Sequence, residues 1–306
     1  GNFPTVVSPN PENPEGFYLA VDLAKKNDVD FIVGTDPDSD RVGIMVRDKD
    51  GEYKVITGNQ TGVLLLDYLL GALKRTGKLP ANAVALKTIV TTEMARAVAE
   101  SYGVKCFDTF TGFKFMAEKK NALEATGEGK VVFSYEESYG YMVGDYVRDK
   151  DAVTASLLLT EMAAHYAAKG MTVLDALQAL YEKHGCYGEK TFNLVMPGLD
   201  GLSDMAKLMK SLRETPPAEI AGVKVAQFKD YSDGSVVDCA TGAKSAMELS
   251  GSNVLRFEMA DGTSIIVRPS GTEPKIKVYI LTKGDSFAQK DENLAKYGAW
   301  VDTLKK

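Results

Sequence analysis

Three aspartates at alternate positions, Asp36, Asp38 and Asp40, form the acidic centre of the stretch 31–46. Apolar runs flank them on both sides, which predicts a strand, an acidic loop and a second strand. Carboxylates two residues apart in an extended loop can converge on one point, and their oxygens are the ligands that Mg²⁺ prefers. Arg41 follows directly, and a guanidinium beside a metal ion suits the oxygens of a phosphate group.

Other acidic loops fit the spacing less well. An EF-hand needs Gly at its sixth position and Glu at its twelfth, where this chain has Arg41 and Arg47. A phosphatase loop of the haloacid dehalogenase type would have a Thr at the position of Asp40. A solvated acidic turn without a ligand is the ordinary alternative. The third aspartate and the adjacent arginine favour a metal and phosphate site over that turn.

A second group of reactive side chains lies near the C-terminus, between two predicted strands. It combines a guanidinium, two hydroxyls, a turn glycine and a flanking ammonium: Arg268, Ser270, Gly271, Thr272 and Lys277. A planar guanidinium and backbone N–H groups turned towards one point bind phosphate oxygens. An ordinary Ser-Gly turn is the alternative. The concentration of basic residues in a chain of net charge −6 favours phosphate binding.

Two more loops carry polar groups at the ends of predicted strands. Glu136 and Ser138 place a carboxylate and a hydroxyl together, and carboxylates accept hydrogen bonds from neighbouring sugar hydroxyls. A helix start with acidic residues near the positive end of its dipole is an equal alternative. Lys150 lies among aspartates, where a lysine is usually a solvated ion-pair partner. In a closed cleft the same ammonium could transfer protons.

Alternating strands and helices must hold these loops, and they divide the chain into three predicted domains. Residues 1–57 read as part of an α/β domain, with a strand at 5–7 and a parallel-sheet pattern. Residues 58–188 read as a complete α/β domain with functional loops at the carboxyl ends of its strands. Residues 189–306 read as a small α+β domain with a mainly antiparallel sheet.

Composition narrows the class of protein. The 306 residues are 44% hydrophobic and 25% charged, as in an ordinary globular protein. The net charge of −6 and the lack of basic runs argue against nucleic-acid binding. No apolar stretch is long enough to cross a membrane. Three isolated cysteines and two histidines offer little for disulfides, zinc or a histidine triad, so a reducing cytoplasm is the expected location.

Four stretches occur in the order seen in the α-D-phosphohexomutases: 34–41, 111–114, 135–140 and 268–274. The chain therefore resembles the phosphoglucomutase/phosphomannomutase family over nearly its whole length. That family has three related α/β domains followed by a fourth domain with an antiparallel sheet. The resemblance implies reversible conversion of hexose 1-phosphate to hexose 6-phosphate through a phosphoserine, with a bisphosphorylated hexose as intermediate and activator.

The resemblance also assigns roles to residues. It implies one Mg²⁺ ion held by Asp36, Asp38 and Asp40, with Arg41 beside the phosphoryl-transfer centre. It implies that Lys150 is a general acid or base. The residues expected to contact the sugar are Lys87, Thr111, Gly112, Lys114, Glu136 and Ser138. Those expected to bind the phosphate that is not transferred are Arg268, Ser270, Gly271, Thr272 and Lys277.

One departure from the family pattern changes the expectation for this chain. The family's phosphorylated nucleophile is a serine in a Thr-x-Ser-His-Asn-Pro-type loop, and no such loop occurs here. Ser8 is the N-terminal serine nearest to a candidate, and its surroundings do not match. The chain is therefore expected to need an N-terminal domain of the same protein and to be inactive alone. A non-catalytic sugar-phosphate module and a metal-dependent phosphatase are the alternatives.

Overall fold

The structure is a computed structural model that describes residues 2–198, 200–271 and 273–304. The chain forms two compact units, Gly1–His184 and Gly185–Lys306. Thr272, one of the predicted phosphate-binding residues, lies outside the described residues. Among the helices that are described, none is long and apolar enough to cross a membrane.

The first part of unit 1 is a small antiparallel sheet with a helix on it. Its elements are a 3₁₀ helix Pro14–Phe17, α1 Tyr18–Asn27, β1 Phe31–Thr35, β2 Val42–Arg47 and β3 Tyr53–Ile56. The strand order is β1-β2-β3, and both pairings are antiparallel. Phe17 and Ala24 from the helical segment pack against Ile32 and Met45 of the sheet.

Two predictions for this part were wrong. The β-α-β unit expected from a strand at 5–7, a helix and the strand at 31–35 gives no parallel pair, and β1 pairs instead with β2, antiparallel across the short turn at 36–41. The expected strand at 5–7 does not form: Val7 is 97% exposed, and the backbone N–H of Val6 bonds back to Phe3. An apolar run that meets no neighbouring strand has nothing to hold it extended.

The second part of unit 1 has helices around a mixed sheet. Its elements are α2 Gly58–Arg75, β4 Ala83–Thr88, α3 Met94–Ser101, β5 Lys105–Thr109, α4 Phe113–Thr126, β6 Lys130–Glu136, β7 Gly140–Val143, α5 Ala152–Ala167 and α6 Val173–His184. The strand order is β5-β4-β6-β7. Strand β4 pairs in parallel with β5 and β6, whereas β7 is an antiparallel edge strand. The predicted α/β class is confirmed for this part.

Helix α2 shows how local sequence sets an element. Thr57 is its N-cap, and its side chain accepts from the backbone of Gln60 while the Gln60 side chain accepts from the backbone of Thr57. This reciprocal pair satisfies two N–H groups that an uncapped helix leaves open. The apolar run that follows is buried almost throughout, so α2 lies inside unit 1 rather than on its surface.

Unit 2 is an antiparallel sheet with two helices. Its elements are β8 Cys186–Val195, α7 Gly201–Glu214, β9 Glu219–Ile220, β10 Val223–Asp230, β11 Ser235–Asp238, β12 Lys244–Ala246, β13 Leu255–Met259, β14 Ser264–Pro269, β15 Lys275–Gly284 and α8 Phe287–Thr303. The strand order is β12-β11-β10-β13-β14-β15-β8, with β9 beside β10. This confirms the predicted antiparallel α+β class.

The core of unit 2 lies on one face of that sheet. Leu255, Val267, Val278 and Phe192 occupy one register row across four strands, and all belong to or pack against the same apolar cluster. Alternate residues of each strand point to one face, so one register fixes the whole row. Tyr297 of α8 completes the cluster with no exposed surface.

Candidate metal and sugar-phosphate sites

The acidic loop between β1 and β2 is closed by its own hydrogen bonds. Oδ1 of Asp36 accepts from the backbone N–H groups of Asp40 at 3.1 Å and Arg41 at 3.0 Å. The backbone N–H of Asp36 donates to the carbonyl of Arg41 at 3.2 Å. Ser39 turns the chain in the left-handed region, at φ 56°. The loop is therefore a compact turn with its carboxylates held on one side.

The three aspartates fit a hard cation. Carboxylate oxygens of Asp36, Asp38 and Asp40 all lie within 4.8 Å of one another. Burial and, to a lesser degree, the charges of Asp40 and Asp38 raise the pKa of Asp36, against the lowering effect of its backbone hydrogen bonds. A divalent ion would relieve that repulsion, and an oxygen-only donor set is the set that Mg²⁺ prefers.

Two cationic side chains border the acidic loop. The Lys150 ammonium lies 2.7 Å from Oδ2 of Asp40, and Nε of Arg41 lies 3.9 Å from Oδ1 of the same residue. Burial alone would lower the pKa of Lys150, but the bonds and charges of Asp40 and Asp149 outweigh it and raise the pKa. Nε of Arg41 is buried without a hydrogen-bond partner in the part of the chain that the structure describes.

The acidic loop is bonded to the hairpin that carries Glu136 and Ser138. Arg41 forms a β-bridge with Gly140, and the backbone N–H of Val42 donates to the carbonyl of Tyr139 at 3.1 Å. The backbone N–H of Ala152 donates to the carbonyl of Ser39, also at 3.1 Å. These bonds place the acidic loop directly beside the hairpin of Glu136 and Ser138 and beside the segment that carries Lys150.

Three predicted sugar-contacting residues meet at the carboxyl end of β6. Glu136 is buried to 6% exposure, and its Oε1 accepts from the backbone N–H of Gly112 at 2.5 Å. The hydroxyl of Ser138 donates to Oε2 at 3.3 Å. Gly112 has φ 117°, a conformation that a residue with a Cβ adopts only with strain. Glycine at this position therefore lets the backbone N–H face the carboxylate.

Two neighbours of Gly112 differ in exposure. The hydroxyl of Thr111 is buried without a hydrogen-bond partner among the described residues. Lys114 is exposed, with its ammonium 4.8 Å from the centre of the Phe115 ring. A hydroxyl without a partner can still bind a ligand, and an exposed ammonium remains available to one.

Lys87 was predicted to contact the sugar, but the structure buries it among acidic side chains. Its side chain has no exposed surface, and its ammonium lies 3.0 Å from Glu93 and 2.9 Å from Asp108. It also donates to the carbonyls of Thr88 and Thr91. An ammonium enclosed by four acceptors has no donor left for a sugar, so we no longer interpret Lys87 as a substrate ligand. Lys87 was predicted to contact the sugar because it lies at the end of a strand, but its position in the sequence does not show that the side chain is buried.

Glu137 is a residue at this site that the sequence interpretation passed over. Its Oε2 accepts from the hydroxyls of Thr88 and Thr91, both at 3.2 Å. Burial first, and the nearby charge of Glu136 second, raise the pKa of Glu137. The carboxyl group therefore attaches the sugar hairpin to the end of β4. The signal in the sequence that could have pointed to Glu137 was the pair of consecutive glutamates, Glu136 and Glu137.

An open cavity of about 470 Å³ lies beside the acidic loop. Phe17 and Val33 supply apolar lining, and Asp36 and Ser39 supply polar lining. Ser8, the serine considered above, also lines it. The acidic loop thus borders a space large enough for a ligand or a polypeptide segment.

The predicted phosphate residues of unit 2 that the structure describes lie at or beside the turn between β14 and β15. Arg268 and Lys277 are register partners on the two strands, and both are half-buried. The backbone N–H of Ser270 donates to the carbonyl of Lys275 at 2.8 Å, which closes the turn. Gly271 is exposed, with open space where a Cβ would stand. Like charges directly opposite each other are unfavourable, and an anion between them would offset the repulsion.

Three family models match separate parts of the chain. They are described as Phosphoglucomutase/phosphomannomutase, alpha/beta/alpha domain II, over residues 1–51, domain III of the same type over 57–184, and the C-terminal domain over 203–289. A phosphoglucomutase from Staphylococcus aureus is 37% identical over 286 residues, which cover 94% of this chain and 50% of that protein. The chain thus spans about half the length of the curated relatives it matches.

Two solved structures are similar in fold. Parafusin, a phosphoglucomutase from Paramecium in an open form, aligns with TM-score 0.64 and 22% identity, over 97% of this chain and 50% of that one. N-acetylphosphoglucosamine mutase from Aspergillus fumigatus, in complex with GlcNAc-6P and magnesium, aligns with TM-score 0.50 and 12% identity, over 94% and 53%. These two matches show a shared fold, and the three domain models, which together cover most of the chain, show that the chain belongs to the phosphoglucomutase/phosphomannomutase family.

Proposed function

We propose that this chain carries the metal-, sugar- and phosphate-binding residues of a mutase that interconverts hexose 1-phosphate and hexose 6-phosphate. Family membership supports the reaction class, and the relatives are phosphoglucomutases. The observation that carries the proposal is the bonding of the acidic loop to the sugar hairpin, through the Arg41–Gly140 bridge and the bond from Val42 to Tyr139. This bonding favours a ligand site over a solvated acidic turn, because a turn without a ligand does not need to be attached to the hairpin of Glu136 and Ser138.

In this proposal Asp36, Asp38 and Asp40 hold one Mg²⁺ ion. When bound, Mg²⁺ would stabilise the negative charge of the phosphoryl group during transfer. Arg41 donates to the oxygens of the same group, which is consistent with a buried Nε–H that has no partner within the described ranges. Lys150, whose ammonium lies 2.7 Å from Oδ2 of Asp40 in the structure, exchanges a proton with a sugar hydroxyl as general acid or base.

The sugar is bound by Glu136 and Ser138, with Thr111, Gly112 and Lys114 on the neighbouring loop. Glu136 accepts hydrogen bonds from sugar hydroxyls with the lone pairs that Gly112 and Ser138 leave open. Two adjacent hydroxyls of the sugar can donate to such a carboxylate in a similar way whichever end of the ring faces the acidic loop. A site of this kind suits a bisphosphorylated hexose that must turn around between two transfers.

The phosphate that is not transferred is bound by Arg268, Ser270, Gly271, Thr272 and Lys277. The opposed positions of Arg268 and Lys277 support this assignment, because a dianion between two cations turns a repulsive pair into an attractive site. Lys275 is engaged in an ion pair with Glu273, which leaves the other two cations as the stronger candidates.

The phosphoserine that starts the reaction belongs to a separate part of the enzyme in this proposal. The chain contains no Thr-x-Ser-His-Asn-Pro-type loop, so an N-terminal domain of the same protein supplies the nucleophile. The chain alone then binds its ligands without completing a mutase cycle. Turnover of glucose 1-phosphate by the isolated chain in a coupled assay would contradict this part.

The deciding experiment measures binding. Isothermal titration with Mg²⁺ should give one site per chain in wild type and a loss of about 100-fold or more in Asp38→Asn, because a charged ligand is removed. Binding of glucose 6-phosphate should weaken about 10-fold in Lys277→Gln, whereas Lys283→Gln on the same strand should leave it unchanged.

The phosphatase alternative predicts another outcome. Steady release of inorganic phosphate from glucose 1-phosphate by the isolated chain, abolished by Asp38→Asn, would favour hydrolysis over mutase chemistry. Ligand binding without phosphate release in the isolated chain, and mutase turnover in a longer chain that contains the nucleophile, would favour our proposal.

A further inference from the structure

Lys150 forms an ion pair with Asp40, one of the three carboxylates predicted to hold the metal ion. Its ammonium lies 2.7 Å from Oδ2 of Asp40, and the side chains of Lys150 and Asp40 are only 19% and 29% exposed. We propose that Lys150 and Mg²⁺ compete for Asp40, so that metal binding releases the lysine ammonium from the acidic loop. The inference rests on the proposed magnesium site and concerns how that site is coupled to the sugar hairpin.

The segment that carries Lys150 is held by backbone bonding, whereas its ion pair with the acidic loop is made by the side chain. The backbone N–H of Ala152 donates to the carbonyl of Ser39, which fixes the segment to the acidic loop. The aliphatic stem lies over the backbone of Gly140: a Cβ at that glycine would stand 3.0 Å from Cδ of Lys150. The ammonium is also 5.8 Å from the centre of the Phe113 ring. Release therefore needs a rotation of the side chain and no movement of the main chain.

The charges around the acidic loop favour either Mg²⁺ or the Lys150 ammonium at Asp40, and not both at once. Three carboxylates face two cations, Arg41 and Lys150. Without metal, the ammonium satisfies part of the negative charge. A divalent ion among the carboxylates would repel an ammonium bonded to the same aspartate, and partial burial reduces the screening of that repulsion by water.

The released ammonium has a second acceptor nearby and lies against the sugar hairpin. Oδ1 of Asp149 is 3.5 Å from Nζ of Lys150 in the structure, so it can take over when Asp40 binds metal. The stem already crosses Gly140, the first residue of β7. Any anionic ligand of the hairpin that attracts the released ammonium would tighten Mg²⁺ binding, and Mg²⁺ would tighten that ligand by the same factor.

The test measures Mg²⁺ affinity by isothermal titration in four proteins. Lys150→Met should bind Mg²⁺ about 10-fold more tightly than wild type, because a positive charge close to the ion is gone. Lys150→Arg keeps the charge and should bind like wild type. Lys54→Met is the matched control, since it removes an equal charge from an ion pair with Asp48 that includes no predicted ligand. It should also bind like wild type.

A second measurement uses the unaltered protein. Acylation of Lys150 by an amine-reactive reagent, followed by mass spectrometry, should accelerate at least about threefold when Mg²⁺ is added, while Lys54 does not change. Equal or weaker Mg²⁺ binding by a folded Lys150→Met overturns the inference. A rate of Lys150 acylation that does not change when Mg²⁺ is added also overturns it. If no variant takes up Mg²⁺, the proposed metal site itself fails. Binding of glucose 6-phosphate, measured separately, then reports on the rest of the proposed function.

Discussion

At the scale of single residues, the buried ammonium of Lys87 is held in a cluster of shared ion pairs. Glu93 and Asp108 each form ion pairs with both Lys87 and Arg96. A charge without access to water persists only when it is paired, and removing one partner leaves the others uncompensated. The four side chains therefore act as one unit that joins β4, α3 and β5.

Lys87→Met should lower the free energy of unfolding by about 3 kcal/mol, near the lower end of the cost of breaking a buried pair. The lower end applies because Arg96 still contacts both carboxylates. Urea denaturation followed by circular dichroism measures the change. Lys105→Met is the control, since Lys105 is exposed on the adjacent strand and should change stability by less than about 0.5 kcal/mol. Equal stability of the two variants would falsify the structural role of Lys87.

Glu137 gives unit 1 a pH dependence whose sign follows from its environment. Burial and the charge of Glu136 raise the pKa of Glu137 above its ordinary value of 4.5. Between 4.5 and that raised value, the folded state binds more protons at this carboxyl than the unfolded state does. The free energy of unfolding therefore falls as the pH rises through this window, and the contribution of Glu137 is fully present only below it.

Glu137→Gln removes the ionisable group and keeps a similar shape. Relative to wild type, the variant should become progressively more stable as the pH is raised from about 4 to about 8. Urea unfolding across that range measures the trend. Glu128→Gln, which makes the same change at an exposed carboxylate, is the control. A flat difference for Glu137→Gln would show that Glu137 ionises normally in the folded protein.

At the scale of elements, the N-terminus of α2 and the sugar hairpin are in direct backbone contact. A Cβ at Gly58 would stand 1.9 Å from the carbonyl oxygen of Glu137 and 3.0 Å from the backbone N of Tyr139. Tyr139 is already in the left-handed region, at φ 66°. Backbone atoms cannot yield as the end of a flexible side chain does, so the hairpin has little room to move.

Gly58→Ala should therefore displace the hairpin and lower the free energy of unfolding by about 3 kcal/mol, the upper part of the usual cost of overpacking. Binding of glucose 6-phosphate should weaken along with it. Gly16→Ala is the matched control, because the nearest atom to its Cβ would be 3.7 Å away. Normal stability and binding in Gly58→Ala would contradict the close approach.

Most elements were predictable because they follow from local signals. The apolar periodicity of α2 and the N-cap at Thr57 act within a few residues of each other. Pairing partners were less predictable. Strand β7 went unrecognised because its apolar run, 141–143, is only three residues long and its pairing depends on a three-residue turn. The antiparallel sheet of 31–56 went unrecognised because a β-α-β order was taken to mean parallel strands.

At the scale of the whole molecule, residue chemistry was easier to predict than residue surroundings. The spacing of Asp36, Asp38 and Asp40 indicated convergent carboxylates, and their oxygens do lie close together. The contact between Lys150 and Asp40 joins residues far apart in sequence, and no spacing rule reaches that far. The burial of Lys87 likewise depends on elements that pack around it from elsewhere in unit 1. Long-range contacts arise from the fold and not from any local pattern.

The two compact units should each fold on their own, because each has its own core. In unit 2, Phe257, Ile265 and Val278 are fully buried in one cluster with Tyr297 of α8. Residues 185–306 expressed alone should therefore unfold cooperatively in urea. In that fragment, Phe257→Ala should cost about 3–5 kcal/mol, as large-to-small changes in a packed core do.

The full chain provides the comparison. It should unfold in two transitions, one of which matches the fragment 185–306 in its midpoint. Phe257→Ala should shift that transition alone, whereas Leu64→Ala, in the buried run of α2, should shift the other. If both transitions move together in either variant, or if the fragment unfolds without cooperativity, then the cores are not independent. Stability effects at Lys87, Gly58 and Glu137 would then have to be measured on the whole chain.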